Sequence, residues 1–455
     1  MRNYLLIVIS FFSIYSQGNR YTDSLALVAL YNATGGDQWT EPRWDLSQPI
    51  DTYAGVVLLN DRVHNIALNF KNLQGNLPVE IGNITELIQL SLQNNPLLTG
   101  PIPSGLSSLT ELRYLNFSNT NLSGTLSTII ESLDQLLELR LSNMQNLTGP
   151  IPDEIANLTQ LQYLDLHQTD LGGSIPESIA NLDQLTELRL NNTNLSGTLP
   201  PGLGNLTSLV VLSLSGNAGI MDTIPDQWAA LTNLEELDLN SDNLSGELPT
   251  AFVNLSSLEV LNISNNKLTG LPDFNSGSIT LSFLFAGNNR LTFADIEPNI
   301  TAISDTFEYA DQDSVESYQV EEDYIFVKRV AASNQYQWYQ DGQILEGGTS
   351  DTLDLSFFDN VAGSSFYCRI TNTVVNDLTL YTTKKPIKIH KPTIPQNLTA
   401  IPGYQRIKLI WSNPPAETSF DHYLIYSGIS PDNLQPTNWL INLTDTSYMA
   451  TTLFD

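Results

Sequence analysis

The stretch Leu185-Thr-Glu-Leu-Arg-Leu-Asn-Asn-Thr-Asn-Leu-Ser-Gly-Thr-Leu-Pro200 decides the fold of this chain. Its leucines at the first, fourth and sixth positions point to one side of a short strand, while the residues between them point to the other. Gly197 then supplies the backbone freedom that a turn requires. The stretch therefore predicts one coil with a leucine core and a polar outer strand face.

The same pattern recurs every 23 to 25 residues from Val63 to about Leu291. Ten copies begin with leucine or a substitute, at Val63, Leu87, Leu112, Leu136, Leu161, Leu185, Leu209, Leu234, Leu258 and Leu281. About three stacked repeats suffice to bury a continuous core. The sequence predicts an α/β solenoid over residues 63–309, with a parallel concave sheet and a short helical or irregular convex side.

The ninth position of each coil normally carries a side chain that bonds exposed backbone amides between coils. Asparagines that suit this role are Asn95, Asn217, Asn266 and Asn289, and threonines that fill it in part are Thr120, Thr169 and Thr193. Met144 cannot form such bonds, so we expect a local irregularity in its coil.

The repeated Leu-x-Gly-x-Leu/Ile-Pro motif resembles the plant-type leucine-rich-repeat family. Residues 19–62 resemble the N-terminal cap of that family, through Leu27-Val-Ala-Leu-Tyr-Asn-Ala-Thr-Gly-Gly-Asp-Gln-Trp39, Trp44 and Tyr53-Ala-Gly-Val56. The resemblance implies ligand binding, but the family binds peptides, proteins and glycans alike. Plant receptors place a cysteine pair near this tryptophan region, and its absence here argues against a plant origin.

The first residues predict export. A short basic start is followed by an apolar run from Leu5 to Tyr15, with small residues at Ser16 and Gly18. We interpret residues 1–18 as a secretory signal peptide, because a run of eleven residues, interrupted by two serines, is too short to span a bilayer. The sequence predicts no later membrane span.

Charge and cysteine content narrow the classes of partner and compartment. With 19 basic and 49 acidic residues the net charge is −30, which disfavours nucleic acid and anionic membranes. The single cysteine, Cys368, allows no disulfide within an exported chain. Together these features favour a bacterial envelope or extracellular protein.

Two all-β sandwich modules are predicted after the repeats. Residues 310–390 resemble an immunoglobulin-like sandwich, with Trp338 and Cys368 at the strand-C tryptophan and second-cysteine positions, although the first cysteine is missing and Phe366 replaces the corner tyrosine. Residues 392–455 resemble a fibronectin type III module through Ile407-Lys-Leu-Ile-Trp411 and Asp421-His-Tyr-Leu-Ile-Tyr426. This second module is shorter than the ~90–100 residues of a complete sandwich, so we expect the chain to be the front part of a longer protein.

No catalytic, cofactor or metal motif is present in the sequence. It contains no His-Glu-x-x-His, Gly-x-Ser-x-Gly, phosphate loop, zinc-spaced cysteines or calcium loop. The four histidines, His64, His167, His390 and His422, are scattered over three modules. We therefore predict a protein that is not an enzyme and that needs no cofactor or metal.

The outward positions of the concave sheet form the candidate ligand-binding surface. They comprise Tyr114, Glu138, Tyr163 and Glu187 in one column, Arg140, Asp165 and Arg189 in the next, and then His167. Neighbouring parallel strands lie ~4.8 Å apart, so Arg140, Asp165 and Arg189 can touch in sequence. Two interpretations stay open: a charge ladder that only keeps the sheet soluble, or a polar and aromatic patch that attracts carboxylate or sulfate groups.

Three functions fit these observations. The first is a secreted or cell-surface recognition and adhesion protein that binds a protein or polysaccharide through its concave face. The alternative is the targeting part of a longer secreted enzyme whose catalytic domain lies beyond residue 455. A plant-like receptor ectodomain is disfavoured by the absent cysteines.

Overall fold

A computed structural model describes residues 19–315, 317–320, 324–355 and 364–386, and the backbone of five further strands between residues 396 and 450. The signal peptide predicted for residues 1–18 lies outside the described residues. The chain divides into two compact units. The first comprises the described residues up to Val315 with Arg329–Asn334 and Thr371–Leu380, and the second comprises the remaining described segments from residue 317 onward.

A twelve-stranded sheet runs through the first unit. Its strands in spatial order are Val56–Leu59, Arg62–Ala67, Gln89–Ser91, Tyr114–Asn116, Glu138–Arg140, Tyr163–Asp165, Glu187–Arg189, Val211–Ser213, Glu236–Asp238, Val260–Asn262, Phe283–Phe285 and Thr306–Glu308. The first two strands pair antiparallel, and each later strand pairs parallel with the strand of the preceding coil. This order is that of the predicted solenoid.

The repeated leucines form the core. Leu139, Leu164 and Leu188 lie side by side in neighbouring strands and are fully buried. Single helical turns lie between the strands in sequence, mostly as 3-10 helices that follow a proline. They span Gly36–Gln38, Ile50–Thr52, Val79–Asn83, Ser104–Ser108, Asp153–Asn157, Glu177–Asn181, Pro201–Asn205, Asp226–Ala230, Thr250–Asn254, Phe274–Ser276 and Glu297–Thr301, with α-helical turns at Ser127–Ile130 and Phe293–Ile296.

Parallel pairing also joins the Leu-x-Gly segments of successive coils, where the sequence pattern predicts only turns. One sheet contains Gln74–Asn76, Asn95–Pro101 and Thr120–Ser123, and a second contains Thr148–Gly149, Asp170–Gly173, Asn194–Gly197, Gly219–Asp222, Asn243–Glu247 and Lys267–Gly270. The pairing arises because these segments are extended and their backbone groups need partners once the coils stack. Gly197 ends its strand at a φ of 87°, a conformation that favours glycine.

The amino-terminal segment begins with a helix over residues 19–33. Four aromatic rings pack in sequence: Tyr31 against Trp39 at 5.1 Å, Trp39 against Trp44 at 4.9 Å, and Trp44 against Tyr53 at 4.8 Å between centroids. Each of these residues is at least nine-tenths buried. Aromatic burial is therefore a main stabilising contribution in this segment.

Asparagines link successive coils, as the sequence predicts for the ninth position. The Oδ1 atom of Asn266 accepts from the backbone N–H of Leu244 at 3.0 Å, and its Nδ2 atom donates to the carbonyl of Leu239 at 2.7 Å. Asn95, Asn217 and Asn289 form the corresponding bonds. The strands formed by the Leu-x-Gly segments are termed lateral strands. In the coil of Met144 the lateral strand spans only two residues, whereas that of the next coil spans four.

Asp242 occupies the same ninth position between Asn217 and Asn266 and was not among the residues selected from the sequence. Its Oδ1 atom accepts from the backbone N–H of Asn217 at 2.8 Å, while its Oδ2 atom is buried and lacks a hydrogen-bond partner among the described residues. Burial raises the pKa of Asp242 to about 8, and the charge of Asp238 adds to the rise. The carboxyl is thus mostly protonated at neutral pH.

Antiparallel sheets follow the solenoid in sequence. One contains Ser317–Val320, Tyr324–Val327 and Thr352–Asp354, and another contains Gln343–Ile344, Asn334–Gln340, Ser365–Asn372, Thr379–Tyr381 and Lys385–Pro386. Trp338, Phe366 and Cys368 are buried, as the immunoglobulin-like resemblance implies for such positions. The immunoglobulin-like assignment itself stays a prediction.

The last described strands also pair antiparallel. They are Gln396–Gly403 with Arg406–Ser412 and Ser447–Ala450, and His422–Ser427 with Gln435–Asn442. The fibronectin type III assignment of residues 392–455 likewise stays a prediction. Within the described ranges no helix has both the length and the apolar character needed to cross a bilayer.

Candidate ligand-binding surface

The middle coils bring the predicted surface residues together in the expected columns. Tyr163 pairs in register with Glu138 on one side and Glu187 on the other. Asp165 likewise lies between Arg140 and Arg189. The parallel register of the sheet therefore places two arginines, two glutamates and a tyrosine on one face, with Tyr114 in register with Glu138 one coil earlier.

The ion pairs run along the strands rather than across them. Arg140 contacts Glu138 on its own strand, with 3.1 Å between Nη2 and Oε2. Arg189 contacts Glu187 in the same way. The expected chain of contacts from Arg140 through Asp165 to Arg189 is not among the described ion pairs. The longer glutamate side chains reach the guanidinium groups from two positions away on the same face, whereas Asp165 is short and already engaged.

The partner of Asp165 is His167. The Oδ1 atom of Asp165 lies 2.6 Å from Nδ1 of His167 and also accepts from the His167 backbone N–H at 3.2 Å. Only 6% of the Asp165 surface is exposed. Asp165 is therefore buried and paired with His167, whose side chain is 28% exposed.

Arg140 also lies over an aromatic ring. Its Cζ atom is 4.0 Å from the centroid of the Tyr163 ring, within the range of a cation–π interaction. Burial raises the pKa of the Tyr163 phenol, and the charges of Asp165 and Glu187 raise it further. The phenol therefore stays neutral at physiological pH. Tyr163 and Glu138 together hold the Arg140 guanidinium in one orientation.

A shallow cavity of about 210 Å³ lies beside Arg140, toward the amino-terminal coils. Tyr114 and Glu138 line it, and so do several residues that were not selected from the sequence, among them Gln93 and Asn116. The Asn116 Nδ2 atom donates to Oε1 of Gln93 at 2.9 Å. Asn116 lies in register with Arg140. Following the outward column of Arg140 one coil further toward the amino terminus would therefore have identified it.

The described residues contain no group of three or more histidine, cysteine, aspartate or glutamate side chains placed to hold a metal ion. The surface consists instead of paired charges, a stacked guanidinium, amides and phenol groups. Such groups form hydrogen bonds and ion pairs with a ligand without forming a covalent bond to it.

Comparison with known proteins identifies the repeats. A leucine-rich repeat region model matches residues 127–244, and two further leucine-rich repeat models match residues 232–291 and residues 86–109 and 111–133. These residues are leucine-rich repeats. A probable leucine-rich repeat receptor-like protein kinase of Arabidopsis thaliana is 33% identical over 113 residues, which cover 24% of this chain and 12% of the kinase.

Two further proteins share the repeat region. Polygalacturonase inhibitor 1 of Oryza sativa subsp. japonica is 39% identical over 61 residues, 13% of this chain and 18% of the inhibitor. The plant peptide hormone receptor RGFR1, solved in complex with RGF2, is 32% identical with a TM-score of 0.50, over 53% of this chain and 39% of the receptor. The chain thus spans less than a fifth of either curated relative and well under half of the receptor.

Proposed function

We propose that this protein is an exported recognition or adhesion protein of a bacterial cell surface or extracellular medium. It binds a protein or polysaccharide ligand through the concave face of its leucine-rich repeats and is not itself a catalyst. The receptor RGFR1, which shares the fold at 32% identity, was solved with a bound partner, RGF2. That likeness supports ligand binding as the use of the repeats here.

One observation carries the proposal: the Arg140 guanidinium lies over the Tyr163 ring on the strand face that points away from the leucine core. Its side chain is 37% exposed and that of Arg189 is 32% exposed. A guanidinium has five N–H donors, and among the described residues Arg140 makes polar contacts only through Nε and Nη2, both with Glu138. The remaining donors are available to a carboxylate or sulfate group of a ligand.

The net negative charge of the chain restricts the binding of acidic groups to this patch. A net charge of −30 repels anions from most of the surface. Arg140 and Arg189 lie two coils apart with Asp165 in register between them. An acidic group of the ligand would bind where both arginines present the N–H donors that Glu138 and Glu187 leave free. Ligand binding at this patch should therefore weaken as salt increases.

The test is the double variant Arg140→Ser with Arg189→Ser in the full chain. Binding partners are first selected from an array of acidic oligosaccharides and peptides, and dissociation constants are then measured by calorimetry at low and high salt. We expect affinity to fall by at least about tenfold per lost charge-assisted contact. The loss should be larger at low salt.

Arg43→Ser with Arg290→Ser is the matched control, because it removes the same two charges from partly exposed, ion-paired arginines outside this patch. It should leave affinity unchanged if the patch binds the ligand directly. Equal effects of the control and of the Arg140→Ser, Arg189→Ser variant would show that binding depends only on the net charge of the chain. Unchanged affinity in the double variant would leave the charge-ladder interpretation and disprove the proposed site.

A further inference from the structure

The carboxyl-terminal coils of the concave sheet carry a second surface of different chemistry. Phe283 and Phe285 project from the strand Phe283–Phe285, their ring planes inclined by only 4° and their centroids 6.5 Å apart. Phe283 is 37% exposed and Phe285 is half-buried. The two rings are thus parallel and lie on the side of the strand that faces away from the leucine core, and we term them the phenylalanine platform.

Uncharged hydrogen-bonding groups lie beside Phe285, on one part of a cavity lining that also contains Glu308, Asp311 and Asp377. They form what we term the amide cluster, which comprises Asn240, Asn262, Ser264, Asn265 and Asn288. Asn262 lies directly beside Phe285 in the sheet register. The amide cluster and Phe285 line an open cavity of about 650 Å³, a size that accommodates a small ligand.

The amide cluster is preorganised by its own hydrogen bonds. Asn288 Nδ2 donates to Asn265 Oδ1 at 2.9 Å, and Asn265 Nδ2 donates to Asn240 Oδ1 at 3.5 Å. Asn240 Nδ2 donates to Ser264 Oγ at 2.8 Å, and this hydroxyl donates to Asn262 Oδ1 at 2.7 Å. The chain of bonds spans three coils and fixes the direction in which each amide points, so a ligand meets donors and acceptors that are already ordered.

The two ends of this series of hydrogen bonds leave polar groups that can bind a ligand. Among the described residues, neither Nδ2 of Asn262 nor Oδ1 of Asn288 has a hydrogen-bond partner, so one end offers a donor and the other an acceptor. A ligand whose hydroxyl groups both donate and accept satisfies both ends.

The charge at this cavity excludes one class of ligand. Glu308 and Asp311 are exposed on its lining, and no lysine or arginine is present among the described lining residues. Tyr309 on the same lining donates its hydroxyl to Asp377 at 2.7 Å. An acidic ligand is repelled here, in contrast to the arginine patch. The strands of Tyr163 and Phe285 lie five strands apart, ~24 Å at the usual strand spacing.

We propose that the phenylalanine platform and the amide cluster bind a neutral oligosaccharide. The C–H face of a pyranose ring packs flat on an aromatic ring, because its weakly positive hydrogens meet the negative face of the π system. The sugar hydroxyls then bond the ordered amides at the rim. A peptide anchor would need an enclosed apolar pocket, whereas this cavity is open and most of its lining is polar or charged.

The test uses the full chain with three neutral probes: cellohexaose, laminarihexaose and mannohexaose. Binding is measured by calorimetry and by saturation-transfer NMR. At least one hexaose should bind, with an affinity that does not change with salt because no charge is involved. Phe285→Ala should weaken binding at least about tenfold, whereas Phe285→Tyr retains the ring and should retain most of the affinity.

Two further variants show whether the amides contribute and whether the arginine patch is separate. Asn262→Leu removes an amide of similar size while the platform stays, and it should also weaken binding by several-fold. Arg140→Ser with Arg189→Ser should leave hexaose binding unchanged, so this inference and the proposed function can fail independently. Thermal unfolding checks that each variant is folded. Failure of all three hexaoses to bind, or equal affinity in Phe285→Ala, overturns the inference.

Discussion

Replacing Asp242 by asparagine should stabilise the solenoid at neutral pH. Asp242 lies in the row of buried asparagines that link successive coils, yet its Oδ2 atom has no hydrogen-bond partner among the described residues. Asn266 shows what an amide does at the equivalent position one coil later, since its Nδ2 atom donates to the carbonyl of Leu239 at 2.7 Å and to that of Ile263 at 3.2 Å. Asp242→Asn supplies such a donor.

The size of this stabilisation follows from the difference between the pKa of Asp242 in the folded and in the unfolded chain. Burial raises its pKa from 3.8 to about 8. Between these two values the folded chain keeps a proton that the unfolded chain releases, so the free energy of unfolding decreases as pH rises through this interval. One pKa unit corresponds to about 1.4 kcal/mol, which gives an upper bound of about 4 kcal/mol at pH 7. The contribution of this residue to stability should be nearly independent of pH below about pH 3 and again above about pH 9.

We therefore expect Asp242→Asn to stabilise the repeats by roughly 2–4 kcal/mol at pH 7 and by much less at pH 4. Urea unfolding followed by circular dichroism at pH 4, 5, 7 and 9 measures the effect. Hydrogen exchange of the Asn217 amide, which donates to Asp242 at 2.8 Å, locates it in this coil. This local measurement matters because repeat arrays and chains of several units need not unfold in one step.

Asn266→Asp is the matched reverse change, one coil further on. It places a carboxyl among the same type of backbone partners and should weaken the fold at pH 7 more than at pH 4. The reasoning is wrong if Asp242→Asn lowers stability at pH 7, or if the dependence of unfolding on pH between 5 and 8 is the same in variant and parent.

Three further predictions concern buried groups. Asp23→Ala should destabilise the amino-terminal segment by up to roughly 3–5 kcal/mol, measured by denaturant unfolding. It removes the buried carboxylate that lies 2.9 Å from the Arg62 Nε atom and leaves Arg62 with the partly exposed Glu86 as its ion-pair partner. Asn217→Ala should cost about 2–4 kcal/mol by leaving several buried backbone groups unpaired, and hydrogen exchange should quicken at Leu195, whose amide donates to the Asn217 side chain. Cys368 should resist iodoacetamide at pH 8 until denaturant is added, because burial raises the pKa of its thiol to about 12. Rapid labelling of the folded chain would contradict this expectation. Reducing agent should leave the melting temperature of the chain unchanged.

The fold was predictable because the same residue pattern occurs ten times, so each structural position is inferred from ten copies. Leu185, Leu188 and Leu190 define a strand whose inward positions are set by alternation, and the register between coils follows once every coil has nearly the same length. The lateral strands were not predicted, since their pairing depends on how closely the Leu-x-Gly segments of stacked coils approach. Alternation within a single segment carries no information on that distance.

The site was predictable in its columns but not in its contacts. The sequence places Arg140, Asp165 and Arg189 in one column, and the structure keeps that register. Which charges pair is decided by side-chain length and competition: the glutamates reach the arginines along each strand, and Asp165 turns to His167. These choices differ by small energies for exposed ion pairs, ~0–1 kcal/mol, which residue type alone does not resolve.

The carboxyl-terminal surface was not predicted, for a related reason. Charged residues stand out in a sequence, whereas Phe285 and Asn262 occupy outward positions with residue types that also occur in cores and turns. Their significance depends on the two phenylalanine rings being nearly parallel and on the amides bonding one another across coils. The first depends on side-chain conformation within one strand, and the second is a property of the stacked solenoid rather than of any single repeat. In a repeat protein, therefore, each outward column needs to be followed through every coil, because a binding surface is defined by how the residue type changes along the column.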